Sequence, residues 1–181
     1  MRFIDREMIK RKNYLFIDGY NLINYSSKLK KIAAVDLESA RKKLIDLVVE
    51  YSAYQGEITC IVFDAYQTKY KKAKEEMVGG VKVVFTKEYQ TADAYIEGQV
   101  EKLAANKRNV VRVVTGDLLE QQLILGSGGY RVSPREFLRA VEQVKKNVKE
   151  FDQSPVRQDN SMESMLDENV LKILKDWRKK S

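Results

Sequence analysis

Four short apolar runs of strand length, rich in β-branched residues, recur along the chain. They are YLFID, ITCIVF, VKVVF and VVRVV, at residues 14–18, 58–63, 81–85 and 110–114. Their apolar content is nearly continuous rather than alternating, which is typical of strands covered on both faces. Helical patterns separate the runs. We therefore predict an α/β fold with helices on both faces of a central, mostly parallel sheet of four to five strands.

Three segments between and after these strands carry apolar residues at helical spacing. The first runs from Asp36, its predicted N-cap, to Tyr54, and the second covers residues 91–105. A third helix begins after Ser133, which forms a capping box with Glu136. Just before it, GSGGYRV supplies a glycine turn and a short fifth strand.

The pattern divides the 181 residues into four parts. Residues 1–12 are a charged N-terminal extension, and residues 13–151 form one domain of ordinary size. Residues 152–165 are polar and have no period, so we predict a linker. Residues 166–181 predict an amphipathic C-terminal helix that docks on the domain or on a partner.

Composition narrows the chemistry that the chain can perform. Histidine is absent, which excludes Ser-His-Asp and Cys-His nucleophile pairs, zinc sites with histidine ligands and imidazole catalysis. The single cysteine, Cys60, lies in an apolar strand, so we expect a core residue and no disulfide-linked partner. Catalysis would have to rest on carboxylates, amides, hydroxyls, lysines or a metal ion.

Charge and hydropathy also limit the partners. Lys and Arg number 33 against 26 Asp and Glu, and the resulting net charge of +7 weakly favours polyanionic partners. No apolar run approaches the roughly 18 residues that span a bilayer. The segment MRFIDREMIKRKN lacks the apolar core of a secretory signal. We expect a cytoplasmic protein with no membrane partner.

An acidic residue stands at or after the end of each of the four strands: Asp18, Asp64, Asp93 and Asp117. In open parallel sheets, ligands bind beyond the carboxyl ends of the strands. Carboxylates gathered there repel one another unless a cation neutralises them, and all-oxygen ligands select a hard divalent ion. Glu97 lies four residues after Asp93 and can face the same point. The pattern predicts a Mg²⁺ or Mn²⁺ site.

Each of these acids has an alternative role when it is taken singly. An Asp after a strand often caps a turn or helix, and this alternative has most weight for Asp64 and Glu97. Asn21 follows Asp18 by three residues. It either caps the next segment or orients an acid or a phosphate through its amide.

In combination, these stretches resemble the NYN-domain ribonucleases of the PIN-like superfamily, and most closely the YacP-like group. The motifs lie between Tyr14 and Val148 and are, in order, FIDGYNLIN, VFDAY, VVFTKEYQTADAYIEGQV, VVTGDLLEQ and GSGGYRVSPREFL. The resemblance implies a three-layer PIN-like fold and an acidic metal site that cleaves RNA, mRNA included, endonucleolytically. It assigns the catalytic roles to Asp18, Asn21, Asp93 and Asp117.

The resemblance also implies a mechanism, in which water attacks the phosphodiester in line and leaves 5′-phosphate and 3′-hydroxyl ends. The chain departs from the family in one motif. The family commonly has Thr-Ser-Asp after the fourth strand, whereas here Gly116 replaces the serine.

Basic and aromatic residues in two places are candidates for holding RNA: Lys69, Tyr70, Lys71, Lys72, Arg131 and Arg135. The first four precede a predicted hinge at Gly79 and Gly80, where lysines can hold phosphates and a tyrosine can stack a base. The alternative for that segment is a solvated helix face. Because no motif identifies a target, we hypothesise that the ribosome or another ribonucleoprotein provides selectivity.

Other functions compete with the nuclease hypothesis. The main alternative is a catalytically silent RNA- or ribosome-binding module in which the acids are caps. A phosphatase or receiver-type domain with Asp18 as phosphoacceptor is weaker, because DGYN lacks the second acid of the phosphatase pattern. Nucleotide binding is weaker still, since neither G-x-G-x-x-G nor a P-loop follows the first strand.

Overall fold

The computed structural model of the protein describes residues 11–64 and 73–153. The strands are β1 (Asn13–Asp18), β2 (Ile58–Phe63), β3 (Lys74–Val78), β4 (Val81–Phe85), β5 (Val110–Val114) and β6 (Tyr130–Val132). The helices are α1 (Gly19–Tyr25), α2 (Ser27–Ala33), α3 (Leu37–Gln55), α4 (Ala92–Ala104), α5 (Leu118–Gly126) and α6 (Pro134–Gln153). Residues 1–10 of the predicted extension, residues 154–165 of the predicted linker and the predicted C-terminal helix lie outside the described residues. Residues 152 and 153, which the prediction placed in the linker, are the last two residues of α6.

The six strands form one sheet in the order β3-β4-β2-β1-β5-β6. All neighbouring pairs are parallel except β3 and β4. From β1 the chain adds β2 and β4 on one side and then crosses back to place β5 on the other side. The strand order therefore reverses beside β1, and in sheets of this kind ligands bind at the carboxyl ends near such a reversal. The predicted α/β class with a mostly parallel sheet is confirmed.

Two hydrophobic cores lie on opposite faces of the sheet. Leu15 and Ile17 of β1 pack with residues of α1, α2, α3 and α6. Phe16, between them in the strand, packs in the other core with Ile96 of α4 and Ile124 of α5. Because successive strand residues point to opposite faces, a strand that serves both cores must be apolar at every position. This is why the runs in the sequence do not alternate.

The number of strands exceeds the prediction by one, because the segment before Gly79 and Gly80 forms β3. These glycines are not a hinge: both have positive φ, 53° and 85°, and they connect β3 to β4 as a tight antiparallel hairpin. β3 reads KEEMV and lies at the sheet edge. Charged residues are common on edge strands because they oppose further strand pairing. Because its apolar content is low, β3 was not predicted from the sequence. The solvated helix predicted as the alternative for this segment is wrong for Lys74–Val78.

Local capping signals located two helices correctly. Asp36 accepts hydrogen bonds from the backbone N–H groups of Glu38 and Ser39, at 3.1 and 3.0 Å, and α3 follows it. At the start of α6, the Ser133 hydroxyl accepts from the Glu136 N–H at 3.2 Å, while the Glu136 carboxylate accepts from the Ser133 N–H at 2.8 Å. Both caps need only residues within one turn of the helix start, so sequence alone predicts them.

Cys60 is a core residue, as predicted. Its side chain is buried in β2, and burial raises the pKa of the thiol to about 12. A thiol with such a pKa stays protonated at neutral pH and is a poor nucleophile.

The chain forms two compact units, residues 1–146 and 147–181. All residues of the site described below belong to the first unit. Within the described ranges, none of the helices has both the length and the apolar character required to cross a membrane.

Candidate active site

The first acid, Asp18, is placed by the junction of β1 and α1. It is the last residue of β1 and the N-cap of α1, and its carboxylate accepts a hydrogen bond from the Asn21 backbone N–H at 3.0 Å. β1 pairs with β2 on one side and β5 on the other, so its end is held by two parallel neighbours. Asp18 is thus both a helix cap and a rigidly positioned acid at the carboxyl edge of the sheet.

Gly19 allows α1 to start this close to the sheet. A Cβ at position 19 would lie 2.3 Å from Cε1 of Phe63, whose side chain is fully buried. The Phe63 ring is itself held by an edge-to-face contact with Tyr20 and a stacked contact with Phe85. The ring therefore cannot swing away without disturbing the core beneath Asp18.

We expect Gly19→Ala to lower the free energy of unfolding by about 1–3 kcal/mol, because the added methyl group overpacks the core. Urea denaturation measures the effect. Gly98→Ala is the matched control: Gly98 lies in α4, and nothing lies within 4 Å of a Cβ there. The control should gain up to about 1 kcal/mol from helix propensity. Unchanged stability of Gly19→Ala would mean that the Phe63 ring can move after all.

Asn21 joins the ends of β1 and β5. Its backbone N–H binds Asp18, and its side-chain oxygen accepts a hydrogen bond from the Gly116 backbone N–H at 2.9 Å. A Cβ at position 116 would lie 3.1 Å from the same Asn21 oxygen. Glycine here, where the family commonly has serine, lets the two strand ends approach closely. Neither contact is one of the two predicted for Asn21: Asp18 is the residue that caps α1, and the Asn21 amide oxygen binds a backbone N–H rather than an acid or a phosphate.

Three of the predicted acids line one open cleft of about 360 Å³: Asp18 from β1, Asp64 after β2 and Asp93 in the first turn of α4. The other residues that line it are Tyr20, Asn21, Asn24, Thr91 and Ala92. Thr91 is the N-cap of α4 and accepts a hydrogen bond from the Ala94 N–H at 3.1 Å. β1, β2 and β4 are adjacent in the sheet, which explains why the acids that follow them converge.

The electrostatics of the cleft are dominated by burial of Asp18. The pKa of Asp18 is raised from 3.8 to about 6, chiefly by desolvation and in smaller part by the negative charges of Asp93 and Asp64. The backbone N–H groups of Asn21 and Tyr20 act in the opposite direction and lower it. Carboxylates held together without a counterion destabilise one another, and a bound cation would relieve this repulsion.

The chemistry of the cleft residues fits a hard divalent cation, since their donor atoms for a metal are all oxygens. Within residues 11–64 and 73–153, no three acidic, Cys or His side chains are already close enough to hold a metal ion together. Mg²⁺ usually keeps several waters and binds through one or two carboxylates and substrate phosphates. The cleft thus fits a hydrated Mg²⁺ or Mn²⁺ ion better than a fully protein-coordinated one.

Two other predicted ligands do not line this cleft. Asp117 is exposed and follows β5, where its backbone N–H donates to the buried Thr115 hydroxyl at 3.0 Å. Asp117 immediately precedes α5. Glu97 lies one turn beyond Asp93 in α4 and is partly buried. Asn21 nevertheless connects the Asp117 loop to Asp18 through Gly116.

The candidate RNA-binding residues divide into two groups. Lys69, Tyr70, Lys71 and Lys72 lie outside the described residues. Arg131 and Arg135 are exposed, in β6 and in the first turn of α6. Arg131 donates to the Gln121 side-chain oxygen at 2.7 Å, and the Gln121 amide donates to the Thr115 carbonyl at 3.3 Å. Arg131 is therefore fixed relative to the end of β5.

Arg41 of α3 is a further cation near the cleft, and no motif in the sequence marks it. It donates to the hydroxyl of Tyr20, a cleft residue, at 2.9 Å, and its guanidinium lies 5.8 Å from the centre of the Phe85 ring. The Lys74 ammonium is 6.0 Å from the same ring centre. In the sequence, Arg41 is one basic residue in a helix with many charges, and only the fold brings it to Tyr20.

Comparisons with known proteins agree with the motifs. The family model described as YacP-like NYN domain matches residues 15–179. The uncharacterized protein YacP of Bacillus subtilis (strain 168) is 36% identical over 168 residues, covering 91% of this chain and 96% of that protein. The crystal structure of Rae1 (YacP) from Bacillus subtilis is similar with a TM-score of 0.69 at 36% identity, over 92% of this chain and 94% of that one. A Trp-to-Leu variant of Rae1 has a TM-score of 0.67 and 37% identity, over 76% of this chain and 80% of that one.

Proposed function

Because the chain belongs to the YacP-like NYN domain family, we propose that it is a divalent-metal-dependent endoribonuclease that leaves 5′-phosphate and 3′-hydroxyl ends. Membership of the NYN family indicates nuclease activity. The observation that supports metal-dependent cleavage is the cleft at the carboxyl edge of the sheet. There the charges of Asp64 and Asp93 help to raise the pKa of the desolvated Asp18. Acids are costly in such a place unless a cation or a proton joins them.

In the proposed site, Asp18 and Asp93 hold the cation, and Asp64 contributes the third negative charge. When bound, a divalent ion polarises the phosphoryl oxygens and makes water a better nucleophile at neutral pH. Asn21 keeps the Asp18 carboxylate in place through its backbone N–H, at 3.0 Å. The chain has no histidine, and in this proposal a carboxylate of the cleft accepts the proton from the attacking water.

The proposed substrate is mRNA, with the ribosome as the setting for cleavage. The net charge of +7 favours a phosphate backbone as partner. Arg41, next to the cleft residue Tyr20, and Arg131, next to the β5 end, add positive charge near the carboxyl edge of the sheet. The sequence has no recognisable RNA-recognition motif, which supports selectivity supplied by a larger assembly.

The test is cleavage of a translated RNA pool by the purified chain, with and without ribosomes, in Mg²⁺ or Mn²⁺ and again in excess EDTA. We expect cleavage that EDTA abolishes, products with 5′-phosphates, and faster cleavage when ribosomes are present. Removing a metal that contributes several kcal/mol should slow the reaction by at least about 100-fold. Cleavage that persists in EDTA, or products with 2′,3′-cyclic phosphates, would contradict the metal-dependent mechanism.

A catalytically silent RNA- or ribosome-binding module is the second candidate. Two observations favour it: the described residues contain no ready-made cluster of three metal ligands, and Gly116 replaces the serine of the family motif. Under this alternative, the chain would bind RNA or ribosomes without cutting RNA under any metal condition, and the acids would serve as caps.

A further inference from the structure

Tyr89 lies in the turn between β4 and α4 and has two unusual properties. The residue is 99% exposed, and its backbone φ is +67°. It is the only non-glycine residue with positive φ in the part of the chain that the structure describes. A side chain with a Cβ disfavours this left-handed conformation, which glycine adopts freely.

The surrounding residues hold the turn in this shape. The Gln90 N–H donates to the Lys87 carbonyl at 3.0 Å, which closes a β-turn with Tyr89 at its third position. The buried Thr86 hydroxyl donates to the Gln90 carbonyl at 2.6 Å, and the Thr86 N–H donates to the Phe63 carbonyl at 3.0 Å. With its ring fully in solvent, Tyr89 adds no packing to the fold. A glycine would serve this position better if stability alone mattered.

The turn leads directly into the acidic cleft. Thr91, two residues after Tyr89, lines the cleft together with Ala92 and Asp93. The short connection keeps the backbone of Tyr89 close to Thr91, since two residues span at most about 7 Å, so the ring is within reach of the mouth of the cleft. An exposed aromatic ring on a turn of fixed shape, next to a cleft proposed to take a phosphate backbone, is suited to stack on an unpaired base.

From these observations we infer that Tyr89 is a nucleobase-stacking residue that holds single-stranded RNA beside the acidic cleft. The inference rests on the proposed function, because it requires RNA as the substrate. The side chain is polar only at its hydroxyl, so the ring face provides the contact. Stacking of this kind tolerates every base and favours unpaired over paired RNA.

The test compares RNA affinity and thermal stability in variants of the full chain. To prevent cleavage, each carries Asp93→Asn, and the probe is a short fluorescein-labelled single-stranded RNA of mixed sequence. We expect Tyr89→Gly to weaken binding roughly 5- to 150-fold, as for loss of one stacked base. The same variant should raise Tm by about 2–4 °C, since it removes backbone strain. Tyr89→Phe should bind as the parent does.

Tyr54→Ala is the matched control. Tyr54 is also an exposed tyrosine, but it lies in the last turn of α3, which leads into the amino end of β2 and is remote from the cleft. We expect its RNA affinity to equal that of the parent.

The outcomes separate this inference from the proposed function. If the wild-type chain cleaves RNA but Tyr89→Gly binds RNA as tightly as the parent, the stacking role is wrong and the exposed ring would suit a protein partner instead. Weaker binding with a lower Tm would also overturn it, because that pattern indicates a structural residue. A wild-type chain that neither binds nor cleaves RNA would overturn both proposals.

Discussion

Replacing Asp93 with Asn should slow RNA cleavage on the order of 10³-fold and leave the protein folded. The amide has the size of the carboxylate but carries no charge, so a divalent cation would lose one of its proposed ligands in the cleft. A bound metal contributes several kcal/mol to the transition state, and each 1.36 kcal/mol changes the rate tenfold. Asp93 lies in the first turn of α4, where loss of an acid costs about 0.3–1 kcal/mol of stability.

Initial rates on one RNA substrate, at saturating Mn²⁺ or Mg²⁺, measure this effect. Asp46→Asn provides the control, because Asp46 is an exposed acid of α3 that does not line the cleft. We expect it to cleave as the wild type does. Equal rates for Asp93→Asn and the wild type would exclude the proposed metal site. If neither protein cleaves RNA and both bind it, the silent binding module becomes the better hypothesis.

Asp18→Asn is expected to abolish cleavage and, unusually, to stabilise the metal-free protein at neutral pH. Burial raises the pKa of Asp18 from 3.8 to about 6, so the folded protein binds the proton more tightly than the unfolded chain. The contribution of Asp18 to stability is therefore greatest below pH 4 and is lost as the pH rises through 6, by up to about 3 kcal/mol. Asn keeps an oxygen that can accept the Asn21 N–H, and it cannot ionise.

Urea denaturation in EDTA at pH 4 and pH 7.5 measures this difference. The two proteins should match at pH 4, and the variant should be more stable at pH 7.5. Added Mg²⁺ should stabilise only the wild type, by ligand linkage. Asp36→Asn is a matched control, since Asp36 is also a helix N-cap but its hydrogen bonds lower its pKa, so that variant should gain no stability at pH 7.5. A less stable Asp18→Asn at pH 7.5 would mean that the ionised carboxylate is stabilised in the fold.

Local patterns were enough to predict most secondary structure. The caps at Asp36 and Ser133 and the buried strands around Ile17 and Ile61 depend on near neighbours or on burial of both faces. The sequence did not predict β3, because most of its residues are charged. They form a strand by pairing with β4 at the sheet edge and not by burying apolar side chains. The signal that would have found it is the Gly79-Gly80 pair between two strand-length segments, which predicts a two-residue hairpin.

The sequence predicted the acids of the candidate site, but it did not predict which of them lie in the same cleft. The sequence alone determined that acids follow parallel strands and so lie along one edge, because strand direction sets which end each residue occupies. Only the tertiary structure decided that Asp18, Asp64 and Asp93 share a cleft that Asp117 does not line. Strand order makes β5 as close a neighbour of β1 as β2 is, so the difference lies in the segments that follow the strands: the first turn of α4 brings Asp93 to the cleft, whereas Asp117 is exposed in the loop before α5. The strand order depends on contacts between residues that are far apart in the sequence. The Asn21–Gly116 hydrogen bond is one such contact, since its partners are 95 residues apart.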